Sequence, residues 1–239
     1  MPMPTPSYTT TCTENTKIAR DIFELRFTKP EGLKFLPGQY LLWDVPLLED
    51  GSDIQTRAFS IASSPEEKDM LFVVKILEGG RASMWVESGL KVGDTVRMQG
   101  PFGRFLLDRN SGKDWLLVAT STGIAPYRSQ LVSFLKDETR RIDLLLGVRS
   151  EEDLFWTEEF TAMARKYSHF FFHPALTKPS ADWKGHTGRV QTLFEKIVQD
   201  FARVQVYACG NPEMTKDVKK ICMERFGMTK GDVHVEGYI

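Results

Sequence analysis

The chain has 239 residues, with 31 Lys and Arg against 32 Asp and Glu, a formal net charge of −1 and three cysteines. That length predicts one or two domains, each large enough to bury a core, and the near-neutral charge gives no electrostatic reason to expect nucleic acid or an anionic membrane as a partner. Cys12, Cys209 and Cys222 are too few and too scattered for a disulfide framework or for the four thiolates of an iron–sulfur cluster, which points to a reducing compartment.

The first residues, Met1-Pro2-Met3-Pro4-Thr5-Pro6, lack the basic region and apolar core of a signal peptide. No apolar run approaches the roughly 20 residues that span a bilayer. The expectation is a soluble, cytoplasmic protein without membrane insertion. Up to residue 109, short apolar alternations are broken by turn residues, which predicts strands over 7–14, 22–28, 39–44, 57–62, 70–77 and 94–99. Breakers such as Pro37-Gly38, Gly79-Gly80 and Gly100-Pro101-Phe102-Gly103 separate them, with one brief helical stretch near 81–88. Many short strands with little helix predict an antiparallel β-barrel.

Asn110-Ser111-Gly112-Lys113-Asp114 reads as a linker, and beyond it the rhythm changes. Apolar runs at 115–119, 142–148, 170–174, 204–209 and 233–235 alternate with helical patterns over 124–136, 155–166, 190–200 and 212–226. Continuous buried runs separated by helices predict a parallel sheet with crossovers. The chain is therefore read as two domains, a β-barrel over 1–109 and an α/β domain over 110–239.

Several stretches carry chemistry, each beside a plainer reading. In Arg57-Ala58-Phe59-Ser60-Ile61-Ala62-Ser63-Ser64-Pro65, a strand places Arg57, Phe59 and Ile61 on one face and Ser60 and Ala62 on the other. A cation, a flat ring and a hydroxyl so close together suit a planar, phosphate-bearing cofactor, and equally an edge strand with a surface arginine. Gly79-Gly80-Arg81-Ala82-Ser83 is either a phosphate cradle or a hairpin turn with a helix cap. Thr120-Ser121-Thr122-Gly123-Ile124-Ala125-Pro126 is a strand end, a small-residue turn and a helix start, the layout on which open α/β sheets bind nucleotides. Tyr207-Ala208-Cys209-Gly210-Asn211-Pro212-Glu213-Met214 repeats it at a later strand, where Cys209 reads as core filler or as a crevice residue, and not as a nucleophile. Arg149 ends the second strand of this sheet, Lys178 follows the third and Arg189 precedes the helix after it; the three could together clamp a phosphomonoester, or be solvated singly. An acid for a ribose hydroxyl has no candidate at the tip of the second strand itself, with Glu151 and Glu152 just beyond it. The four histidines show no metal-ligand spacing.

In this order, Arg-x-Phe-Ser, Gly-x-Ala-Ser, Thr-x-Thr-Gly-Ile-Ala-Pro and Cys-Gly-Asn-Pro-x-Met resemble the ferredoxin–NADP(H) reductase family, closest to its bacterial ferredoxin/flavodoxin reductase branch, over nearly the whole chain. The resemblance implies an FAD-binding barrel, an NADP(H)-binding α/β domain and hydride transfer between the two cofactors, with single electrons exchanged with ferredoxin or flavodoxin by a monomer. It implies that Arg57 meets the FAD pyrophosphate, that Phe59 lies against the flavin with Ala58 beside it, and that Ser60 hydrogen-bonds near flavin N5. Val74, Lys75 and Ile76 and the turn Arg81, Ala82 and Ser83 would meet ribityl and phosphates, and Thr122 would touch the flavin. Gly123 and Ala125 match the nicotinamide-nucleotide turn, and Gly210 and Met214 belong to the same site. Cys209 would sit beside the nicotinamide. Arg149, Lys178 and Arg189 match contacts to the NADP 2′-phosphate. Glu236 matches an acid near the C-terminus, and Tyr238 the aromatic there.

Three departures stand out. Phe59 replaces a tyrosine, Ser121 stands where glycine is common, and Ile239 ends the chain where many bacterial members carry tryptophan. The alternative readings are an NADH-dependent reductase component feeding a separate iron–sulfur partner of an oxygenase, and a non-catalytic flavin-binding subunit.

Overall fold

A computed structural model describes residues 5–238; Ile239 lies outside the described residues. The chain divides into two compact units. The first runs up to Leu106 and also takes in Ala125–Ser133, while the second comprises Leu107–Ile124 and the chain from Phe134 onward.

The first unit holds β1 (Ser7–Ala19), β2 (Ile22–Thr28), β3 (Tyr40–Pro46), β4 (Ile54–Ser60), β5 (Asp69–Lys75) and β6 (Thr95–Phe102), with the short helix α1 (Arg81–Met84) before β6. All pairings are antiparallel, in the order β4-β3-β6-β1-β2-β5. β3 shows why: Leu41, Trp43 and Val45 are buried while their neighbours are half-exposed, the period of two that a sheet with one wet face demands. β1 runs further than its apolar pattern predicts. Two register shifts bend it, so its first half pairs with β6 and its second with β2. Just past β4, the Ala62 N–H donates to the Leu71 carbonyl of β5 at 2.8 Å, which joins the two ends of the strand order and curls the sheet into a barrel. Phe27, Trp43 and Phe72 meet edge-to-face inside it, with ring centres 4.7–5.9 Å apart. Burying such rings contributes about 1.5–3 kcal/mol each.

α2 (Ala125–Phe134) begins after the turn Ser121–Ile124, and its residues up to Ser133 pack with the first unit. Buried Arg128 donates to the Ala62 carbonyl at 3.0 Å and to both Glu67 carboxylate oxygens at 3.2 Å, while Ser129 Oγ donates to the Ser63 carbonyl at 2.7 Å. The segment that follows the Arg57–Ser60 strand is thereby fixed by polar groups from α2.

The second unit is a parallel sheet of β7 (Asp114–Thr120), β8 (Ile142–Val148), β9 (Phe170–Leu176), β10 (His186–Thr187), β11 (Val204–Gly210) and β12 (Val233–Gly237). Every residue of β8 and β11 is buried, as a sheet covered on both faces requires. Helices α3 (Thr157–Lys166), α4 (Phe194–Ile197) and α5 (Pro212–Lys220) supply crossovers. The spatial order is β10-β9-β8-β7-β11-β12. Succession thus runs outward from β7 on one side and then restarts at β11 on the other, so β7 and β11 flank the switch point where such sheets bind ligands.

One expected helix differs, and one strand was not expected. The helix expected over 190–200 is a tight turn, Val190–Leu193, followed by the single turn α4. It stops because Val198 is extended and the Asp200 carboxylate accepts the Ala202 N–H at 2.9 Å, starting a new turn. β10 has only two residues, too few to leave a periodic trace in sequence. No helix among the described residues is long and apolar enough to cross a membrane.

Candidate active site

In the barrel unit the candidate site centres on β4, an end strand of its sheet. Ile54 through Ala58 are all exposed, and Phe59 and Ser60 are half-buried. Register sets Arg57 and Phe59 opposite Trp43 and Leu41 on the barrel face, and Ala58 and Ser60 opposite Leu42 and Tyr40 on the other. The Phe59 ring leans on Trp43, with centres 4.3 Å apart. Arg57 reaches only its own strand, donating to Gln55 Oε1 at 2.6 Å and to the Thr56 carbonyl at 2.9 Å. Among the described residues no carboxylate pairs with it, so its charge is open to an anion.

Its neighbours in the motif list are differently placed. Val74 is buried in the barrel core, Ile76 is half-buried, and Lys75 points its charge into solvent. Arg81 is paired to Asp53, at 2.8 Å to the carboxylate and 2.9 Å to the carbonyl, and this guanidinium holds the Asp53 carboxyl below its ordinary range. Ala82 packs against the core, and the buried Ser83 hydroxyl accepts the Leu77 N–H at 2.8 Å. Ser83 closes its own loop rather than capping α1, whose N-cap is Gly80.

In the second unit, the ends of β7 and β11 are packed backbone against backbone. A methyl group on Gly123 would lie 2.7 Å from Gly210 Cα and closer still to the Cys209 carbonyl. Gly210 adopts φ +127°, and a methyl there would come within 2.6 Å of the Thr120 carbonyl. Only glycine meets both demands. Thr120 Oγ1 accepts the Asn211 N–H at 2.9 Å, and Asn211 Oδ1 in turn accepts the Glu213 and Met214 N–H groups at 2.8 and 3.3 Å, capping α5. Thr122 is half-exposed on the turn and Met214, in the first turn of α5, is buried. Ser121 stands at φ +49°, a left-handed conformation in which glycine is at ease and serine is not.

Cys209, the penultimate residue of β11, is fully buried, with Ala119 opposite on β7 and Glu236 opposite on β12. The Tyr238 N–H donates to the Gly210 carbonyl at 2.8 Å, and its side chain hydrogen-bonds the Cys209 thiol. Burial and the nearby Glu236 charge push that thiol well above its ordinary pKa, so it stays protonated. Burial also raises the Glu236 carboxyl to about 6. The C-terminal stretch is thus strand-paired through Gly237, and it brings three expected site residues together.

Arg149, Lys178 and Arg189 follow β8, β9 and β10, three neighbours in the sheet, and all are exposed. The Lys178 N–H donates to the Arg149 carbonyl at 2.7 Å, and the Gly188 N–H to the Leu176 carbonyl at 2.8 Å, so all three cations share one rim. Arg189 has one loose contact, 3.8 Å to Asp217, with both side chains largely in solvent.

Two family models match the chain, an oxidoreductase FAD-binding domain over residues 9–106 and an oxidoreductase NAD-binding domain over 117–220. Ferredoxin--NADP reductase B of Sorangium cellulosum (strain So ce56) is 32% identical over 225 residues, covering 90% of this chain and 91% of that protein. The chain belongs to the ferredoxin–NADP reductase family. It is an oxidoreductase flavoprotein that uses FAD and a pyridine nucleotide. The reductase is also similar to the reductase component DmpP of phenol 2-monooxygenase from Pseudomonas sp. (strain CF600), at 33% identity over 187 residues, 76% of this chain and 52% of that one. It thus spans about half the length of that relative. The Amycolatopsis cytochrome P450 reductase GcoB superposes with a TM-score of 0.88 at 29% identity, over 98% of this chain and 70% of that chain.

Three features of the reductase escaped the sequence reading. Asn211 and Pro212 carry a legible signal, a capping side chain followed by proline at the first helical position, yet Asn211 drew no role. The Thr120 contact to its N–H is a tertiary one. The Arg128–Glu67 pair joins residues 61 apart and has no local signature. Nor does the pairing of Glu151 with Ser180, whose N–H and hydroxyl both donate to Glu151 Oε1, at 2.9 and 2.7 Å.

Proposed function

We propose that the reductase moves a hydride between NADP(H) and FAD and exchanges single electrons with a ferredoxin- or flavodoxin-type carrier, working as a cytoplasmic monomer with its FAD domain over 1–109 and its NADP(H) domain over 110–239. The observation that carries the choice of nucleotide is the rim of Arg149, Lys178 and Arg189 on adjacent strand ends. Three cations there suit a 2′-phosphate, while the nearby Glu151 is occupied by Ser180.

When bound, FAD supplies the redox chemistry, taking up a hydride and parting with electrons singly. The chain's residues bind and orient. Arg57 would pair with the pyrophosphate of FAD, and the 74–76 segment and the 81–83 turn would meet its ribityl and phosphates. Phe59, held by Trp43, presents an apolar ring to the flavin, with Ala58 leaving room beside it. Ser60 would direct its hydroxyl to the flavin edge, and Thr122, on the turn after β7, is the flavin contact that the family resemblance implies. Gly123, Gly210 and Met214 shape the seat of the pyridine nucleotide. Cys209, protonated throughout the physiological range, offers a neutral, polarisable surface to the nicotinamide rather than a nucleophile. Glu236 holds a proton on its carboxyl below about pH 6, and Tyr238 lies against the thiol.

A second reading, an NADH-dependent component feeding a separate iron–sulfur partner of an oxygenase, is favoured by the similarity to DmpP. Anaerobic visible spectra of the purified protein, titrated with NADPH and separately with NADH, decide between them. Bleaching of the flavin bands at far lower NADPH than NADH is the expected result. Preference for NADH selects the oxygenase-type reading. Flavin that neither nucleotide reduces selects a non-catalytic flavin-binding subunit.

A further inference from the structure

The carboxyl end of β8 carries an acid, Glu151, two residues beyond Arg149. An acid near this place in an open α/β sheet is the usual partner of a ribose hydroxyl, and it would oppose a 2′-phosphate by its charge. Here it does something else. The hydrogen-bond ladder between β8 and β9 continues past the strands, with the Thr177 N–H on the Val148 carbonyl at 3.1 Å and the Lys178 N–H on the Arg149 carbonyl at 2.7 Å. At the next step the Glu151 side chain takes over as acceptor and receives both the N–H and the hydroxyl of Ser180 on Oε1. Ser150 and Asp153 hold the turn that presents Glu151, the Ser150 N–H donating to Asp153 Oδ2 at 2.9 Å. The loop carrying Lys178 is therefore anchored at both ends, by Leu176 in β9 and by Ser180 on Glu151.

We propose that Glu151 is a positioning residue, which holds the Lys178 loop beside Arg149 so that the rim accepts a 2′-phosphorylated nucleotide. This rests on the NADP(H) reading above. A carboxylate receiving two hydrogen bonds at one oxygen is bound to the protein and not to the ribose. Those bonds also spread its charge, in keeping with the lowered pKa that Ser180 imposes on it.

The test is titration calorimetry of the FAD-loaded protein with 2′,5′-ADP and with 5′-ADP, neither of which is a redox substrate. Glu151→Ala should weaken 2′,5′-ADP about tenfold and leave 5′-ADP unchanged, the scale expected when hydrogen bonds supporting a binding group are removed. Glu151→Gln keeps an acceptor for Ser180 and drops the charge, so it should bind 2′,5′-ADP as well as the parent or better. In a Lys178→Ala background the Glu151→Ala effect should disappear, because the two act through one group. A parent that binds the two ligands equally overturns the NADP(H) reading and this inference with it. A parent that prefers 2′,5′-ADP, with the preference intact in Glu151→Ala, overturns the inference alone. Loss of 5′-ADP affinity in both Glu151 variants would make Glu151 a ribose ligand and also overturn it.

Discussion

The barrel's β4 and the crevice between β7 and β11 are two candidate binding places built in opposite ways. β4 is built from exposed side chains: Arg57, Ala58 and the strand before them stand in solvent, and Arg57 bonds only to its own neighbours. The crevice is built from backbone. Gly123 and Gly210 let two strand ends close to distances that no side chain permits. On β4, then, the binding proposed for Arg57 is separable from folding, because that side chain carries none of the core. In the crevice the two coincide, since the turn proposed to bind is itself the packing contact.

The sharpest way to break that contrast is Gly123→Ala. Its methyl group would meet main chain, which cannot swing aside, so the turn must shift at a cost of about 1–3 kcal/mol. Reduction by NADPH should be lost and the melting temperature should fall together; loss of one without the other would show that the crevice is not a packing contact. Arg57→Ala makes the complementary case. An exposed residue with local bonds should cost less than about 0.5 kcal/mol of stability in the FAD-free protein. FAD affinity should nonetheless fall at least about tenfold, the worth of a charge-assisted hydrogen bond. Equilibrium dialysis beside a denaturant curve checks both, and a large loss of stability would remove the distinction.

Glu236 sharpens the crevice side through pH. Burial raises its carboxyl from 4.5 to about 6, so the folded state binds the proton more tightly than the unfolded chain. The stability gained by this is complete below pH 4.5 and is lost as pH rises through about 6. Glu236→Gln lacks that loss, so relative to the parent it should gain melting temperature across this window and stay ahead at pH 8. A constant difference at all pH values would remove Glu236 from the titration. The smallest effect is expected at Ser121, which holds φ +49°. Ser121→Gly should relieve about 1 kcal/mol of left-handed strain, visible as a modest rise in melting temperature. A fall instead would mean that the serine side chain contributes more than its backbone costs.

Much of this was legible beforehand where the signal is local. Alternation in β3 and the continuous apolar runs of β8 and β11 mark a barrel followed by a parallel sheet, since burial of one face or of two writes directly into residue order. The six barrel strands fall close to their expected positions, with β1 and β4 the ones whose ends move most. Motifs at strand ends were found because a turn's glycine and a cap's side chain lie within a few residues of what they serve. The two-residue β10 and the break after Ile197 went unseen, because neither spans a full period.

The sequence by itself determined the two fold classes and their order, through periodicity and turn chemistry that need no partner from elsewhere in the chain. Tertiary structure alone decided which ends meet. It set β11 beside β7, so that Gly210 closes on Thr120; it paired Arg128 with Glu67; and it brought Ser180 onto the Glu151 carboxylate. Such contacts join residues roughly thirty to ninety positions apart. Residue order alone does not reveal them, because they follow from strand order and register, and these are settled only when the whole core packs.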